Sequence, residues 1–246
     1  MSRLSSQFLA SILVNAIYEM KNYPAVLVIT VLSPLSFLTL IFFISDGALL
    51  EVGIVGGLIM TMFTAGTSLQ ADLSHLKNDF KLQDMVVASP TSAPVYVSGM
   101  ALSELIYASP ALIILALLFA IYVDIEPVKV LGIVIVMLLM FVMSISLGFA
   151  LATFSTDIVQ SFAFTRLLSL LFTTLAPVYY PLEYIPLPWR YLAYLSPTTY
   201  AAQIGHYLIG FVEVSRNMII VDWAVLLGVT AVFLWVGLKK ARWREK

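Results

Sequence analysis

Long apolar runs, each of a length that suits one crossing of a bilayer, recur from end to end of this chain, at about residues 25–45, 52–69, 95–123, 130–154, 161–180 and 218–238. The hydrocarbon core is about 30 Å thick and a helix rises about 1.5 Å per residue, so each crossing takes about 20 residues. Only 11% of the 246 residues are charged, against about 25% in a soluble domain. The chain is therefore read as an integral membrane protein. Six crossings use about half of its length, which leaves no room for a separate soluble catalytic domain. The expected fold is all-α and integral to the membrane: six transmembrane helices over 25–246, preceded by an N-terminal amphipathic interfacial helix over 1–24 and broken by short re-entrant helices before the last span.

Leu9, Ile12, Leu13, Ala16, Ile17 and Met20 recur at helical spacing, with Ser11, Asn15, Tyr18 and Glu19 mostly on the other side. That pattern predicts a helix lying in the membrane interface; a plain extension of the first span is the alternative. Pro24 ends it, because the residue before a proline is pushed out of the helical region. Asn15, Glu19 and Lys21 interrupt what would be the apolar core of a removable signal peptide, so none is read. Between the fifth and sixth spans, residues 181–217 are aromatic and broken by Pro181, Pro186, Pro188 and Pro197. A straight helix is excluded there. Short helices dipping into the outer half of the bilayer, packed on protein, would satisfy the backbone.

Lysine and arginine set the orientation. With six spans, nine of them (Arg3, Lys21, Lys77, Lys81, Lys239, Lys240, Arg242, Arg244 and Lys246) fall on one side and three (Lys129, Arg190 and Arg216) on the other. Both termini are thus expected in the cytoplasm, in a multi-pass protein of the cell membrane. The basic tail reads as a stop signal resting on anionic lipid rather than a nucleic-acid site.

Enzyme chemistry finds little purchase here. The chain has no cysteine, which excludes disulfides and thiolate metal sites. Its two histidines, His75 and His206, fall on opposite sides of the membrane without partners at ligand spacing, so no metal site is expected. A Gly-x-x-x-x-Gly-Lys-Ser/Thr loop is absent from the sequence, so this chain does not cradle nucleotide phosphates in that way. No catalytic residue is assigned, and an ATPase, if one drives the protein, is another polypeptide.

The segment 78–92 is too charged to span a bilayer and too apolar for a solvated loop. Leu69, Leu73, Leu76 and Phe80 form one helical stripe with Asp72, Lys77, Asp79, Lys81 and Asp84 around it. The second span is expected to run out of the membrane as a helix. Asp79, Phe80, Lys81, Asp84 and Met85 would then form a contact face for a soluble partner; an ordinary charged loop at the headgroups is the alternative. The run Asp84-Met-Val-Val-Ala-Ser-Pro-Thr-Ser92, then Val95-Tyr-Val-Ser-Gly-Met100, resembles the region after the second span of ABC-2 type transporter permeases. The stretch 176–190, rich in proline and tyrosine, and Leu195-Ser-Pro-Thr-Thr-Tyr200 are similar to that family's proline-rich segment and to its "Asn-Pro-Leu-Thr-Tyr" motif. Lys81 and Leu82 stand where many members have Gly-Thr, and Ser196 where many have Asn.

The resemblance covers essentially the whole chain. It implies a permease of six spans, pairing with a second copy of itself, and two ATPase subunits docked beneath that bind the ATP and Mg; this chain would bind no cofactor. Closure of the ATPase pair would be carried upward by the short cytoplasmic helices to drive export. Asp157, with Ser155 and Thr156, offers cap chemistry at an inner turn, and that turn would be a second contact with the ATPase. Glu104 and Arg166 are ionisable groups inside spans, where charge costs about 2.5–3.5 kcal/mol on insertion scales. They are expected either to pair or line the inner cavity, or to snorkel to the headgroups. Gly53 and Gly57, and Ser144, Gly148 and Ala152, mark seams of close helix packing. The rival reading is an ATP-independent secondary transporter or channel, which calls for acidic or histidine relays near the midplane. An apolar path is compatible with drug, lipid, polysaccharide or peptide export.

Overall fold

Proline and the apolar runs together set the helix ends. The computed structural model describes residues 8–10, 12–78, 93–154, 157–174 and 176–240. A π-helical turn, Leu13–Ile17, leads into α1 (Tyr18–Asn22). Tyr23, at φ −126° and ψ 61°, leaves the helical region just before Pro24, as the clash with a proline ring requires. The long helices follow: α2 (Pro24–Ile44), α3 (Leu50–Asn78), α4 (Ala93–Tyr122), α5 (Pro127–Phe154) and α6 (Ile158–Thr174). A 3-10 turn (Leu182–Tyr184), α7 (Arg190–Ala193) and α8 (Pro197–Leu208) lead to the last helix, α9 (Arg216–Lys240). No strand occurs among the described residues.

Five of these helices are long and apolar enough to cross a membrane, over 27–44, 50–70, 97–122, 127–152 and 216–237. The fifth expected span is shorter than its sequence suggests. It stops at Thr174 rather than Tyr180, because Pro177 supplies no backbone N–H and disfavours helix at Ala176. At 17 residues α6 rises about 25 Å. Ala176 and Val178 instead close a tight turn, with the Val178 N–H donating to the Ala176 carbonyl at 2.9 Å.

α3 is the axis of the bundle. Its apolar part is 89% buried, against 11% for α2 and 22% for α9, and it packs on α2, α4, α5, α6 and α8. Glycines bring the neighbours close. A Cβ on Gly53 would lie 2.9 Å from Leu38 of α2, and one on Gly57 would lie 3.2 Å from Leu115 of α4. Gly66 takes the Ser144 side chain of α5, and Gly148 approaches the Gly66 carbonyl. Both small-residue seams therefore pack helices within one chain. What α2, α4, α5 and α9 leave outside is apolar: Ile29, Ile44, Ile113, Ile121, Leu131 and Trp235 are all more than half exposed, the surface that lipid covers. At the end of α9 the Lys239 ammonium sits 4.5 Å from the Trp235 ring centre, an aromatic anchor with a snorkelling lysine at a membrane edge.

Successive long helices alternate in direction, so the bundle has two ends. One carries residues 45–49, 123–126 and the tyrosine-rich segment 176–215, and is called here the aromatic end. The opposite end carries residues 21–24, Asp157 and the close of α9. At the aromatic end, α2 finishes in a left-handed turn, with φ of 50° at Asp46 and 81° at Gly47. The Gly47 N–H returns to the Phe42 carbonyl at 2.9 Å, which satisfies one carbonyl left open at the helix end.

Candidate functional site

A cavity of about 740 Å³ opens between α2, α3, α4 and α6. Toward the aromatic end its wall is apolar: Phe37, Met60, Leu170 and Tyr179. The Phe37 and Tyr179 rings stack there, 5.3 Å apart and 10° from parallel. Toward the opposite end the wall turns polar, with Asn15, Ser68, Asp72, Glu104 and Arg166. The cavity thus joins an aromatic pole to a charged pole. Thr61 and Ser68, also in the wall, donate their hydroxyls to the carbonyls of Gly57 (2.7 Å) and Thr64 (3.0 Å) on their own helix. What they offer the cavity is acceptor capacity.

Glu104 and Arg166 come from different helices, α4 and α6, and both line this cavity. Sequence reasoning missed two of their companions. In sequence Asp72 falls in the charged surround of the Leu69–Phe80 stripe, and Asn15 on the polar side of the N-terminal helix. Asn15 lines the cavity, whereas Leu13 and Ile17 are 39% and 43% exposed. Helical spacing alone sets Asn15 opposite Leu13 and Ile17; what the sequence does not say is that this side faces α4 and the cavity and not water.

The wall is fixed by a polar lock between α3 and α6. Gln70, fully buried, donates from Nε2 to the Ser161 carbonyl at 3.2 Å. The Ser161 hydroxyl donates back to the Gln70 carbonyl at 3.2 Å, and the Thr165 hydroxyl donates to Gln70 Oε1 at 3.2 Å. Four residues before Ser161, Asp157 starts α6. Its Oδ1 accepts the Gln160 N–H at 2.7 Å, an N-terminal cap. Asp79, Phe80, Lys81, Asp84 and Met85 lie outside the described residues.

Beyond the aromatic pole, the non-helical turn after α6 is pinned by α8. The Thr198 hydroxyl donates to the Phe172 carbonyl at 2.9 Å. His206, fully buried, places Nε2 3.2 Å from the Val178 carbonyl. A carbonyl only accepts, so Nε2 carries the hydrogen. Burial pushes this imidazole down to about 4, with the Val178 bond pulling it partly back, so it is neutral at physiological pH. The unfolded chain, with a histidine near 6.5, binds the extra proton first as pH falls. Stability is then complete above about pH 6.5, declines between about 6.5 and 4, and loses about 3 kcal/mol in all. Thermal unfolding of the purified protein across that range is expected to show the loss, and His206→Gln, which keeps a donor, to flatten it. An unchanged slope in the variant would assign the acid sensitivity elsewhere.

The family model of ABC-2 type transporters matches residues 3–209, from the N-terminal segment through α8. The chain belongs to the ABC-2 type transporter family. Comparison with curated proteins gives no match. Membership makes the chain a multi-pass transmembrane permease of the ABC class, and the cavity is a space within an ABC-2 membrane domain. The match takes in every helix that walls the cavity and ends before α9.

Proposed function

We propose that this ABC-2 chain is the membrane-spanning, non-catalytic subunit of an ATP-driven exporter of the cell membrane. In this reading α6 is a sixth span, α7 and α8 are re-entrant helices of the outer leaflet, and both termini are cytoplasmic. The N-terminal helix lies in the membrane interface. ATP and Mg are bound by ATPase subunits on a separate polypeptide, and a second copy of the permease completes the assembly. The observation that carries the reading is the continuity of α3. Residues 60–72 of this helix wall the cavity. The same helix runs on unbroken to Asn78, about 12 Å past the end of its apolar part at Gln70. Asp79, Phe80, Lys81, Asp84 and Met85 follow that helix in sequence, and in this reading a partner that binds them acts on a rod that forms the cavity wall. Asp157, which caps α6, is a second point of application, because the Gln70 lock joins α6 to that rod. The exposed Leu167 and Leu170 of α6 flank the cavity; they supply an apolar face for the second copy.

The test is a pull-down of the tagged protein from its native membranes, with ATPase activity measured for wild type and for Asp79→Ala/Phe80→Ala. A co-purified ATPase with a phosphate-binding loop, lost or unstimulated in the double variant, is the expected result. Recovery of the permease alone, from membranes in which such an ATPase is demonstrably present, would favour an ATP-independent transporter.

A further inference from the structure

Two buried oxygens at the aromatic end have no hydrogen-bond donor. Gln203 on α8 and Asp222, in the second turn of α9, are 6% and 4% exposed. Gln203 Oε1 and Asp222 Oδ2 are without a hydrogen-bond partner. α8 packs along α9, and the Tyr194 phenol just ahead of α8 has both side chains near it: it interacts with the Gln203 amide and lies within electrostatic reach of Asp222. Tyr200 also reaches Asp222, but its hydroxyl is already given to the Tyr194 carbonyl at 2.9 Å.

The surrounding charges do not resolve the problem. The Arg190 guanidinium, which acts on the same Tyr194, donates to the carbonyls of Ile185 (3.1 Å) and Glu183 (2.8 Å). His206, one turn along α8, is turned to Val178. α5, on another flank of α9, has Lys129 near its start and no other titratable side chain. Arg216 opens α9 at its exposed tip. A carboxylate held out of water without donors is strongly disfavoured, and so is a second bare acceptor on the helix packed against it. One hydrogen placed between them satisfies both. A metal ion would need further ligands, and no group of three His, Asp or Glu stands together among the described residues.

We propose that the α8–α9 contact is a proton-binding site: Asp222 carries a proton on Oδ2, and that O–H donates to Gln203 Oε1. The proton comes from water at the aromatic end and returns to it, with no other bond made or broken. Its loss sets a charged acceptor against a neutral one and loosens α8 from α9, so the site makes the packing of α8 sensitive to pH on that side of the membrane.

Infrared difference spectra of the full-length protein in lipid nanodiscs, wild type minus Asp222→Asn at neutral pH, test this. A C=O stretch of a protonated carboxyl is expected in wild type and absent in the variant, indifferent to sodium. Gln203→Met, which removes the acceptor, is expected to keep that band and move it to higher frequency. This second variant also serves if Asp222→Asn does not fold. Absence of the band in wild type overturns the proposal, as does a band unmoved by Gln203→Met. A band that vanishes as sodium is added overturns it too, and makes the occupant a metal cation.

Discussion

Gly56→Ala is expected to destabilise the protein by about 3 kcal/mol, the upper part of the usual range for overpacking a close-packed interior. The added methyl would land on the Val178 carbonyl, with Tyr179 Cδ1 3.2 Å away. Both belong to the tight turn after α6, so backbone rather than a pliable side chain has to yield. The His206 bond that holds the same carbonyl would be lost with it. Gly66→Ala is the instructive comparison. There the methyl meets the Ser144 hydroxyl first, and the Ile145 N–H at 2.8 Å next. A cost of about 2 kcal/mol is expected, of which Ser144→Ala restores about half, since the backbone nitrogen stays. Gly228 of α9 has nothing within 4 Å of its missing Cβ, so Gly228→Ala is expected to stabilise by up to about 1 kcal/mol, the ordinary gain of alanine over glycine inside a helix. Thermal unfolding of the purified variants gives all four values. A Gly56→Ala protein that melts with wild type would show that the turn is not fixed against α3.

Neutralising the charged pole is expected to impair transport while sparing assembly. Glu104→Gln and Arg166→Gln each remove a charge from the cavity wall with little change in side-chain size, so the fold is expected to be kept. Transport should nonetheless fall about tenfold, the equivalent of about 1.4 kcal/mol, near the lower end for a hydrogen bond to a charged group. The two variants are informative together. A cationic substrate makes Glu104→Gln the worse of the pair, and an anionic one makes it Arg166→Gln. Uptake into inverted vesicles with unaltered rates for both would remove the cavity from the transport path.

Much of this architecture is legible in residue order because lipid leaves little choice. Apolar runs near 20 residues become helices wherever no proline intervenes, and Tyr23 before Pro24 breaks where the steric rule places the break. The end of α6 is illegible for the complementary reason. Residues 176–180 are as apolar as a span, and only the backbone consequence of Pro177 separates turn from helix. The cavity was half legible. Glu104 and Arg166 stand out as charges within apolar runs, so they draw attention without any knowledge of neighbours. Asn15 and Asp72 do not, because each sits in a stretch where polar residues are ordinary. Which way the polar side of Asn15 faces is set by the packing of the N-terminal segment against α4, a contact between distant parts of the chain. Pairings such as Gln70 with Ser161, distant along the chain, have no local signature at all.

The three reciprocal bonds between Gln70, Ser161 and Thr165 have a mechanical consequence. They run in both directions across the α3–α6 contact, so a slide of one helix along the other by even one residue breaks all of them and strands buried amide and hydroxyl groups. The two helices therefore act as one plate, not as a piston and sleeve. Any enlargement or closure of the space beside them is expected to move α3 and α6 together relative to α2 and α4.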